Sequence, residues 1–173
     1  MSRLAIDLPG FGCRRLGKPD LATLQAFYEA NPDHFELCDD APPGPDCAWE
    51  IFAASAPGHT ADEKALIGIF ADAALIGAAG LQQDYPVEGV WMLAWFIVDQ
   101  AWRGRGLGRR LERAVGEAVR RQGGRTLRIA VVDNNRPALA FWPRLGYRTI
   151  GHKPWLRGAI EDSVHIMIRE LHE

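Results

Sequence analysis

The run Trp91-Met92-Leu93-Ala94-Trp95-Phe96-Ile97-Val98 is apolar and of strand length, and Arg103-Gly104-Arg105-Gly106-Leu107-Gly108 follows shortly after it. Beyond the glycines, apolar residues recur at helical spacing, at Leu107, Leu111, Ala114, Val115, Ala118 and Val119. These runs predict a strand that passes into a helix through a glycine-rich turn. Alternate glycines let the amides of such a turn converge at the positive end of the helix dipole, which favours an anion such as a phosphate.

The composition is that of one globular domain, with 173 residues, 47% hydrophobic and 24% charged. We therefore expect a single domain over residues 1–173, with its core at about 12–170. The chain has no signal-peptide pattern and no apolar stretch of roughly 18 residues, so we expect a cytoplasmic protein without a membrane partner. Cys13, Cys38 and Cys47 lack disulfide or metal-binding spacing, so reduced thiols and no metal are expected.

The net charge of −2 conceals an asymmetry along the chain. Residues 1–102 contain five basic and fifteen acidic side chains, whereas residues 103–148 contain twelve arginines and three acids. The basic segment suits a polyanionic ligand, and the acidic one suits a cation. A nucleic-acid partner is not expected, because the whole chain is acidic and aromatic residues are not interleaved with the arginines.

The rest of the chain alternates strand and helix patterns. Strand patterns cover 12–17, 65–71, 74–82, 127–132, 147–151 and 163–169. Helix patterns cover 20–28, 47–54 and 137–145, and Asn31-Pro32 is predicted to end the first of these. Loops are predicted at 38–46 and 152–162. This order of elements predicts a mixed α/β fold built on a single sheet.

A second cluster, from Asn135 to Tyr147, helps to identify the ligand for which the glycine turn is suited. By itself the turn fails the GxxxxGK[ST] pattern, which needs a lysine, and the GxGxxG pattern, because Arg109 follows Gly108. In the second cluster, Asn135 follows the end of a predicted strand and precedes a predicted helix that contains the aromatic pair Phe141-Trp142.

Together the two clusters resemble the GNAT superfamily of acyl-CoA-dependent N-acyltransferases. The family pattern of Arg or Gln, two residues, Gly, one residue, and Gly or Ala is matched by Arg103, Gly106 and Gly108. The later family pattern is matched by Asn135, Ala138, Phe141, Trp142, Leu145, Gly146 and Tyr147. The resemblance covers about residues 12–170. It implies a mostly antiparallel sheet of six to seven strands with about four helices, splayed between the strands at 91–98 and 126–132.

The resemblance also implies a binding site for acetyl-CoA. The backbone of Phe96, Ile97 and Val98 is expected to pair with the pantetheine arm, since a splayed strand edge leaves amides and carbonyls open. The turn is expected to bind the pyrophosphate through the residues Arg103, Gly104, Arg105, Gly106, Leu107, Gly108 and Arg109. Asn135 would hydrogen-bond the pantetheine, and Ala138, Phe141 and Trp142 would flank the thioester.

Two positions depart from the pattern of relatives that carry an acid and a base. Trp142 stands where many relatives have a Tyr that protonates the leaving thiolate, and an indole N–H has no useful acidity near neutral pH. Ala130 stands where some relatives have a Glu. Glu88 is the first candidate for the base, with Asp84 and His34 as further candidates.

The acceptor is expected to be the primary amine of a small molecule or a peptide. His34, Asp84, Tyr85 and Glu88 are predicted to line its pocket, within an acidic rim that would attract a cationic amine. We expect the amine to attack the thioester directly in a ternary complex, in a monomer or homodimer. A non-catalytic domain that binds or senses acyl-CoA is the alternative.

Overall fold

A seven-stranded sheet organises the chain in the computed structural model, which describes residues 4–60, 63–157 and 160–172. The strands are β1 (Gly12–Arg15), β2 (Lys64–Ala71), β3 (Ala74–Gln82), β4 (Val90–Val98), β5 (Thr126–Val132), β6 (Arg148–Arg157) and β7 (Ile160–Glu170). The α-helices are α1 (Leu21–Glu29), α2 (Pro32–Asp39), α3 (Cys47–Ala53), α4 (Leu107–Arg121) and α5 (Arg136–Phe141).

The strand order β1-β2-β3-β4-β5-β7-β6 contains a single parallel pair, β4 and β5. That pair is matched only over Val90–Met92 and Thr126–Arg128, after which the two strands diverge. The predicted fold is therefore confirmed: a mixed, mostly antiparallel sheet, splayed between the two predicted strands. The divergence opens a cleft in the middle of the sheet.

Side chains from the two faces of the sheet form two large cores, and Val132, Val164 and Ile166 form a smaller cluster. Ile67, Ile69, Leu81 and Leu93 pack with the apolar side of α4 on one face. The other face packs against α1, α2 and α3, and its buried residues are Leu16, Leu24, Phe27, Tyr28, Phe35, Cys47, Ala48, Leu66, Phe70, Ala78 and Ile97. Burial of apolar surface in these cores stabilises the packing of the sheet against its helices, by about 25 cal/mol per Å².

The helix α2 was missed by the sequence patterns. Asn31-Pro32 was predicted to end a helix, but Pro32 is the first residue of the next one, where its missing N–H costs nothing. Phe35 of α2 is buried against Tyr28 of α1, with ring centroids 5.2 Å apart. The loop predicted at 38–46 is accordingly shorter at its start, because Cys38 and Asp39 are helical.

The two C-terminal strands are longer than predicted. Most of the loop expected at 152–162 is strand, since β6 runs to Arg157 and β7 begins at Ile160. Residues 158 and 159, which belong to that predicted loop, lie outside the described residues. Polar residues are included in these strands through cross-strand pairing, for example of Lys153 with Val164. Their strand propensities alone did not indicate this.

Within the described ranges, none of the helices combines the length and the apolar character that crossing a bilayer requires.

Candidate functional site

The cleft between β4 and β5 exposes two alanines in the centre of the sheet, Ala94 and Ala130. Ala94 is an extra residue in β4, because Leu93 pairs with Leu81 of β3 and Trp95 pairs with Gly80. Such a bulge bends its strand and changes the direction of neighbouring side chains. A small molecule can therefore reach the backbone of β4 at this point.

Beyond the bulge, the backbone of β4 presents hydrogen-bonding groups to the cleft. The Asp99 N–H donates to Ile76 of β3 at 2.9 Å, and alternation along the strand turns Ile97 toward β3 as well. Phe96 and Val98 therefore face the other way. The Val98 carbonyl accepts a hydrogen bond from Arg103 Nε at 2.7 Å. Of the three residues predicted to pair with a ligand, Phe96 and Val98 have the required orientation and Ile97 does not.

The glycine-rich turn lies at the same end of the cleft. Gly104 and Gly106 have φ values of 72° and 81°, a left-handed conformation that favours glycine. Gly106 is the N-cap of α4, a helix of 15 residues. Leu107 is buried in the core, whereas Arg105 and Arg109 are exposed. The turn therefore presents open backbone and positive charge at a helix N-terminus, a combination suited to an anion.

The side chain of Arg103 is engaged within the protein. Its guanidinium forms an ion pair with Asp33 of α2, in addition to its bond to Val98. Asp33 also accepts a hydrogen bond from Gln100 at 2.8 Å. Arg103 thus links α2 to the end of β4, and its guanidinium is turned to the protein instead of to an anion in the turn.

An aromatic wall closes the cleft on the side of α5. The rings of Phe96 and Phe141 are 6.4 Å apart between centroids, and Phe96 and Trp142 are 5.2 Å apart. A Cβ at Gly108 would lie 3.4 Å from Phe141, so the helix and the wall are in close contact. The predicted residues Phe96, Gly108, Ala138 and Phe141 are therefore brought together, since Ala138 packs against the same core.

Trp142 belongs to the core and not to the surface of the cleft. Its side chain is 6% exposed and packs edge-to-face against Phe141 and Tyr147, at 5.0 Å in each case. This burial agrees with the poor acidity of an indole in arguing against a proton donor at this position. The position instead shapes the aromatic wall from behind.

Asn135 caps α5, and a thiol that is distant in sequence lies beside it. Its Oδ1 accepts a hydrogen bond from the Ala138 N–H at 3.0 Å, and its Nδ2 lies 3.5 Å from Cys38 Sγ. Cys38 comes from α2, so its proximity could not be seen in the sequence. One amide hydrogen and one lone pair of Asn135 are not used by these contacts and can serve a ligand.

A cavity of about 310 Å³ lies on the α1–α3 face of the sheet and reaches the bulge of β4. Its lining residues are Ile51, Ala54, Ser55, Ala56, Pro57, Lys64, Leu66, Gly80, Leu81, Gln82, Tyr85, Met92, Ala94 and Trp95. A Cβ at Gly80 would lie 2.9 Å from Trp95 Cβ, so glycine is needed where the bulge brings Trp95 close. The cavity is large enough for a small organic ligand.

The predicted acceptor residues are distributed unevenly around this cavity. Tyr85 lines it, and His34 packs against Trp95, with ring centroids 4.9 Å apart. Burial lowers the pKa of His34 to about 4, and the Arg103 charge contributes to the lowering. The imidazole is therefore neutral near pH 7.

The two acidic candidates lie away from the cavity lining. Asp84 accepts the Gly89 N–H at 2.7 Å, inside the turn before β4. Glu88 is an exposed residue of the same turn. Phe96 lies six residues along β4 from Val90, or about 20 Å at the rise of a strand. Glu88 is thus at the opposite end of the strand from the aromatic wall.

Several cavity residues were missed by sequence reasoning, in particular Gln82 and Trp95. Both lie within runs that were assigned to strands on hydrophobicity, and nothing in the local pattern separates a cavity wall from a core. The single polar residue at the end of an apolar strand, Gln82, was the one available signal.

Comparison with known proteins places this geometry in a family. Residues 23–147 match the model of the Acetyltransferase (GNAT) family. An uncharacterized protein of Mycobacterium leprae (strain TN) is 31% identical over 103 residues, which is 56% of this chain and 26% of that protein. The match therefore spans about a quarter of that relative's length.

Solved structures agree with the fold. A GNAT-family protein from Desulfovibrio desulfuricans has a TM-score of 0.73 at 22% identity, over 94% of this chain and 99% of its own. An acetyltransferase from Thermus thermophilus has a TM-score of 0.72 at 21% identity, over 95% of this chain and 99% of its own. The splayed sheet, the glycine turn and the family match lead to one conclusion: this chain belongs to the GNAT acetyltransferase family, whose chemistry is acyl transfer.

Proposed function

We propose that this protein transfers an acetyl group from acetyl-CoA to a primary amine. The observation that carries the proposal is the divergence of β4 from β5 directly beside the glycine turn before α4. A pantetheine arm is extended and contains amides, so it can complete the open edge of β4 as an added strand would. The pyrophosphate then falls at the N-terminus of α4.

In this arrangement Phe96 pairs with the arm through its backbone N–H and carbonyl. Val98 pairs through its N–H, since its carbonyl accepts a hydrogen bond from Arg103. The amides from Gly104 to Arg109 hold the pyrophosphate, with the exposed Arg105 and Arg109 nearby. Asn135 contributes its remaining hydrogen-bonding capacity to the arm. Phe141 packs along it, opposite Phe96.

The direction of the arm places the acyl group at the bulge. The pyrophosphate lies at the Val98 end of β4, so the arm runs back along the strand toward Ala94. The cleft closes at Met92, where pairing with Arg128 begins. Ala94 also lines the cavity, so an amine in the cavity can approach the thioester carbon without crossing the sheet.

The reaction is a direct attack in a ternary complex. The amine nitrogen forms a bond to the acyl carbon, a backbone N–H of β4 stabilises the oxyanion, and the C–S bond breaks to release the CoA thiolate. A thiol with a pKa of about 8.5 is an acceptable leaving group, so water suffices to protonate it. The ammonium proton leaves through water or a side chain at the rim of the cavity.

Two measurements test the proposal. Calorimetric titration should show that acetyl-CoA binds, and release of free CoA thiol should depend on added amine. Protein that binds acetyl-CoA without amine-dependent thiol release would instead support the non-catalytic alternative, which the buried Trp142 favours. Absence of acetyl-CoA binding would refute both.

A further inference from the structure

Two of the five histidines face each other across the last pair of strands in the sheet. His152 of β6 lies directly opposite His165 of β7, and His152 Nε2 is 3.1 Å from His165 Nδ1. Opposite residues of an antiparallel pair project from the same face, so the two strands hold both imidazoles together. The pair is remote from the cleft, because the strand order places β7 and β6 beyond β5.

The two rings lie more nearly side by side than end to end. Their centroids are 4.4 Å apart. If the two nitrogens pointed straight at one another across 3.1 Å, the centroids would be about 5.4 Å apart, since each nitrogen lies about 1.1–1.2 Å from its ring centre. Each nitrogen is therefore tilted away from the line that joins them. A straight hydrogen bond does not need this tilt, whereas an ion shared by the two rings requires it.

The distance between the nitrogens suits two ligands of one metal ion. Imidazole nitrogens bind Zn²⁺ at about 2.0–2.1 Å, so a separation of 3.1 Å corresponds to a nitrogen–metal–nitrogen angle of roughly 95–102°. This angle lies between the octahedral and tetrahedral values. Two rings bound to such an ion would have centroids about 4.8 Å apart, closer to the observed 4.4 Å than the end-to-end value is.

A carboxylate keeps one ring in the tautomer that a metal needs. Asp133, at the end of β5, places Oδ1 2.7 Å from His165 Nε2. Because a carboxylate only accepts hydrogen bonds, the ring proton of neutral His165 is on Nε2, and Nδ1 has a free lone pair directed to the side of His152. Histidines that bind metals usually donate their other ring N–H to a carboxylate or carbonyl, which fixes the orientation of the ring.

The second ring is free to adopt the matching tautomer. His152 is exposed, so its proton can move to Nδ1 and be hydrogen-bonded by water, which leaves a lone pair on Nε2. The side chain of His165 is 22% exposed. A hydrated ion can therefore reach both nitrogens from solvent, and it displaces one hydrogen bond between the two rings.

The neighbouring charges are compatible with a cation at this place. Asp133 supplies a negative charge on the far side of the His165 ring. Arg136 lies 3.9 Å from the other oxygen of Asp133, and its side chain is 75% exposed, so water screens its charge. Lys153 follows His152 in β6, and the alternation of a strand directs it to the opposite face of the sheet.

The ligand set indicates the class of ion. Within residues 4–60, 63–157 and 160–172, no group of three or more His, Cys, Asp or Glu side chains is arranged to hold a metal, so water completes the coordination of the two imidazoles. Imidazole suits Zn²⁺, Ni²⁺ and Cu²⁺, whereas Mg²⁺ and Ca²⁺ prefer oxygen ligands. The absence of metal expected from the sequence rested on cysteine spacing, which carries no information about a pair of histidines on adjacent strands.

We propose that His152 and His165 form a surface site for a divalent transition-metal ion, with Asp133 as the carboxylate that orients His165. The bound ion joins β6 to β7, and the bond to Asp133 extends the connection to the end of β5. This inference goes beyond the proposed function and does not depend on it.

Calorimetric titration of the full chain with Zn²⁺ tests the site. We expect one ion per chain at this site, a thermal unfolding temperature that rises with the Zn²⁺ concentration, and no binding of Mg²⁺. His152→Gln and His165→Gln should each weaken Zn²⁺ binding at least about tenfold, and Asp133→Asn by about 10–100-fold. The matched control is His172→Gln, at an exposed position outside the pair, which should bind Zn²⁺ as the natural protein does.

Paramagnetic Ni²⁺ locates the site in the natural protein without any substitution. Substoichiometric Ni²⁺ should broaden the imidazole signals of His152 and His165 in NMR spectra before those of the other histidines. Failure of the natural protein to bind Zn²⁺ would overturn the inference, as would earlier broadening of any other histidine. Unchanged affinity in both His152→Gln and His165→Gln, or an equal loss in His172→Gln, would overturn it as well.

Discussion

Arg103 and Asp33, 70 positions apart in the sequence, form an ion pair that fixes α2 to the segment between β4 and α4. The same guanidinium donates to the Val98 carbonyl, at the end of the splayed part of β4. Asn31, which is fully buried, accepts the Gln100 N–H at 2.9 Å beside this pair. These contacts therefore fix the position of α2 relative to the segment that leads into the candidate anion site.

Asp33→Asn should lower the free energy of unfolding by a small amount that depends on pH. Partial burial raises the pKa of Asp33, but hydrogen bonds from Arg103 and Gln100 outweigh it and hold the pKa below its usual value. The carboxylate therefore stabilises the fold above the unfolded-state pKa of about 3.9, and this contribution is lost as the pH falls through the lower folded value. Because both side chains are more than one third exposed, the loss at pH 7 should be below about 1 kcal/mol.

Urea denaturation of both proteins at pH 7 and near pH 2 measures this effect. The difference between them should be larger at pH 7 than near pH 2, because the contribution of the carboxylate decreases as the pH falls through its lowered folded pKa. Asp40→Asn is the matched control, since Asp40 is exposed and has a φ of 59°, which Asn also tolerates. A difference that persists unchanged near pH 2 would contradict the explanation.

His34 should titrate near pH 4. Burial keeps its imidazole neutral in the folded protein, whereas in the unfolded chain it takes up a proton near pH 6.5. The unfolded state thus binds more protons between pH 6.5 and 4, and stability falls as the pH is lowered through this window. Chemical-shift titration of the imidazole measures the midpoint directly.

His34→Gln should reduce the decrease in the free energy of unfolding that accompanies a change from pH 6.5 to pH 4. The matched control is His172→Gln, at an exposed position near the end of the chain. An imidazole midpoint above 6 would show that His34 is more solvated than its packing against Trp95 indicates.

Gly106→Ala should impair acetyl-CoA binding beyond its effect on folding. A residue with a Cβ at φ 81° costs roughly 1–2 kcal/mol in backbone energy, and relief of that strain turns the amides of the anion site away. Gly123→Ala is a matched control, because it has a φ of 83° just beyond the other end of α4 and nothing within 4 Å of its added Cβ.

The thermal unfolding temperature should decrease by similar amounts in both glycine variants. Calorimetry should show at least about tenfold weaker acetyl-CoA binding for Gly106→Ala alone, since one misdirected charge-assisted hydrogen bond is worth about 1.5–3 kcal/mol. Equal affinities in the two variants would remove the turn from the binding site.

Arg169→Met should destabilise the protein by roughly 3 kcal/mol, because it leaves a buried carboxylate unpaired. Glu112 of α4 is 3% exposed, and its Oε1 accepts hydrogen bonds from Tyr147 Oη at 3.0 Å and Arg169 Nε at 2.9 Å. The double variant with Glu112→Gln should recover part of the loss, since the buried charge is then absent. Arg148→Met is the control, because its 3.7 Å pair with Glu170 is exposed and should contribute less than about 1 kcal/mol. Additive single losses in urea denaturation would contradict the coupling.

The segment from β4 to β5 was predictable because its signals are local and consistent with one another. The apolar run of β4, the glycine turn and the amphipathic α4 each agree in periodicity and in turn chemistry, as does the earlier hairpin of β2 and β3. Pro32 shows where such reading fails: the same residue can follow one helix or begin another, and only the burial of Phe35 decides between them.

The sequence by itself determined the fold family and the glycine turn before a helix, because three glycines and a helix N-terminus act over a few residues. Tertiary structure decided the engagement of Arg103 by Asp33, the burial of Trp142, the approach of Cys38 to Asn135 and the apolar cavity with Gln82 in its wall. Each of these depends on contacts between segments far apart in the chain. Since hydrophobic periodicity records only which face is buried, it cannot distinguish a packed core from the wall of a binding site.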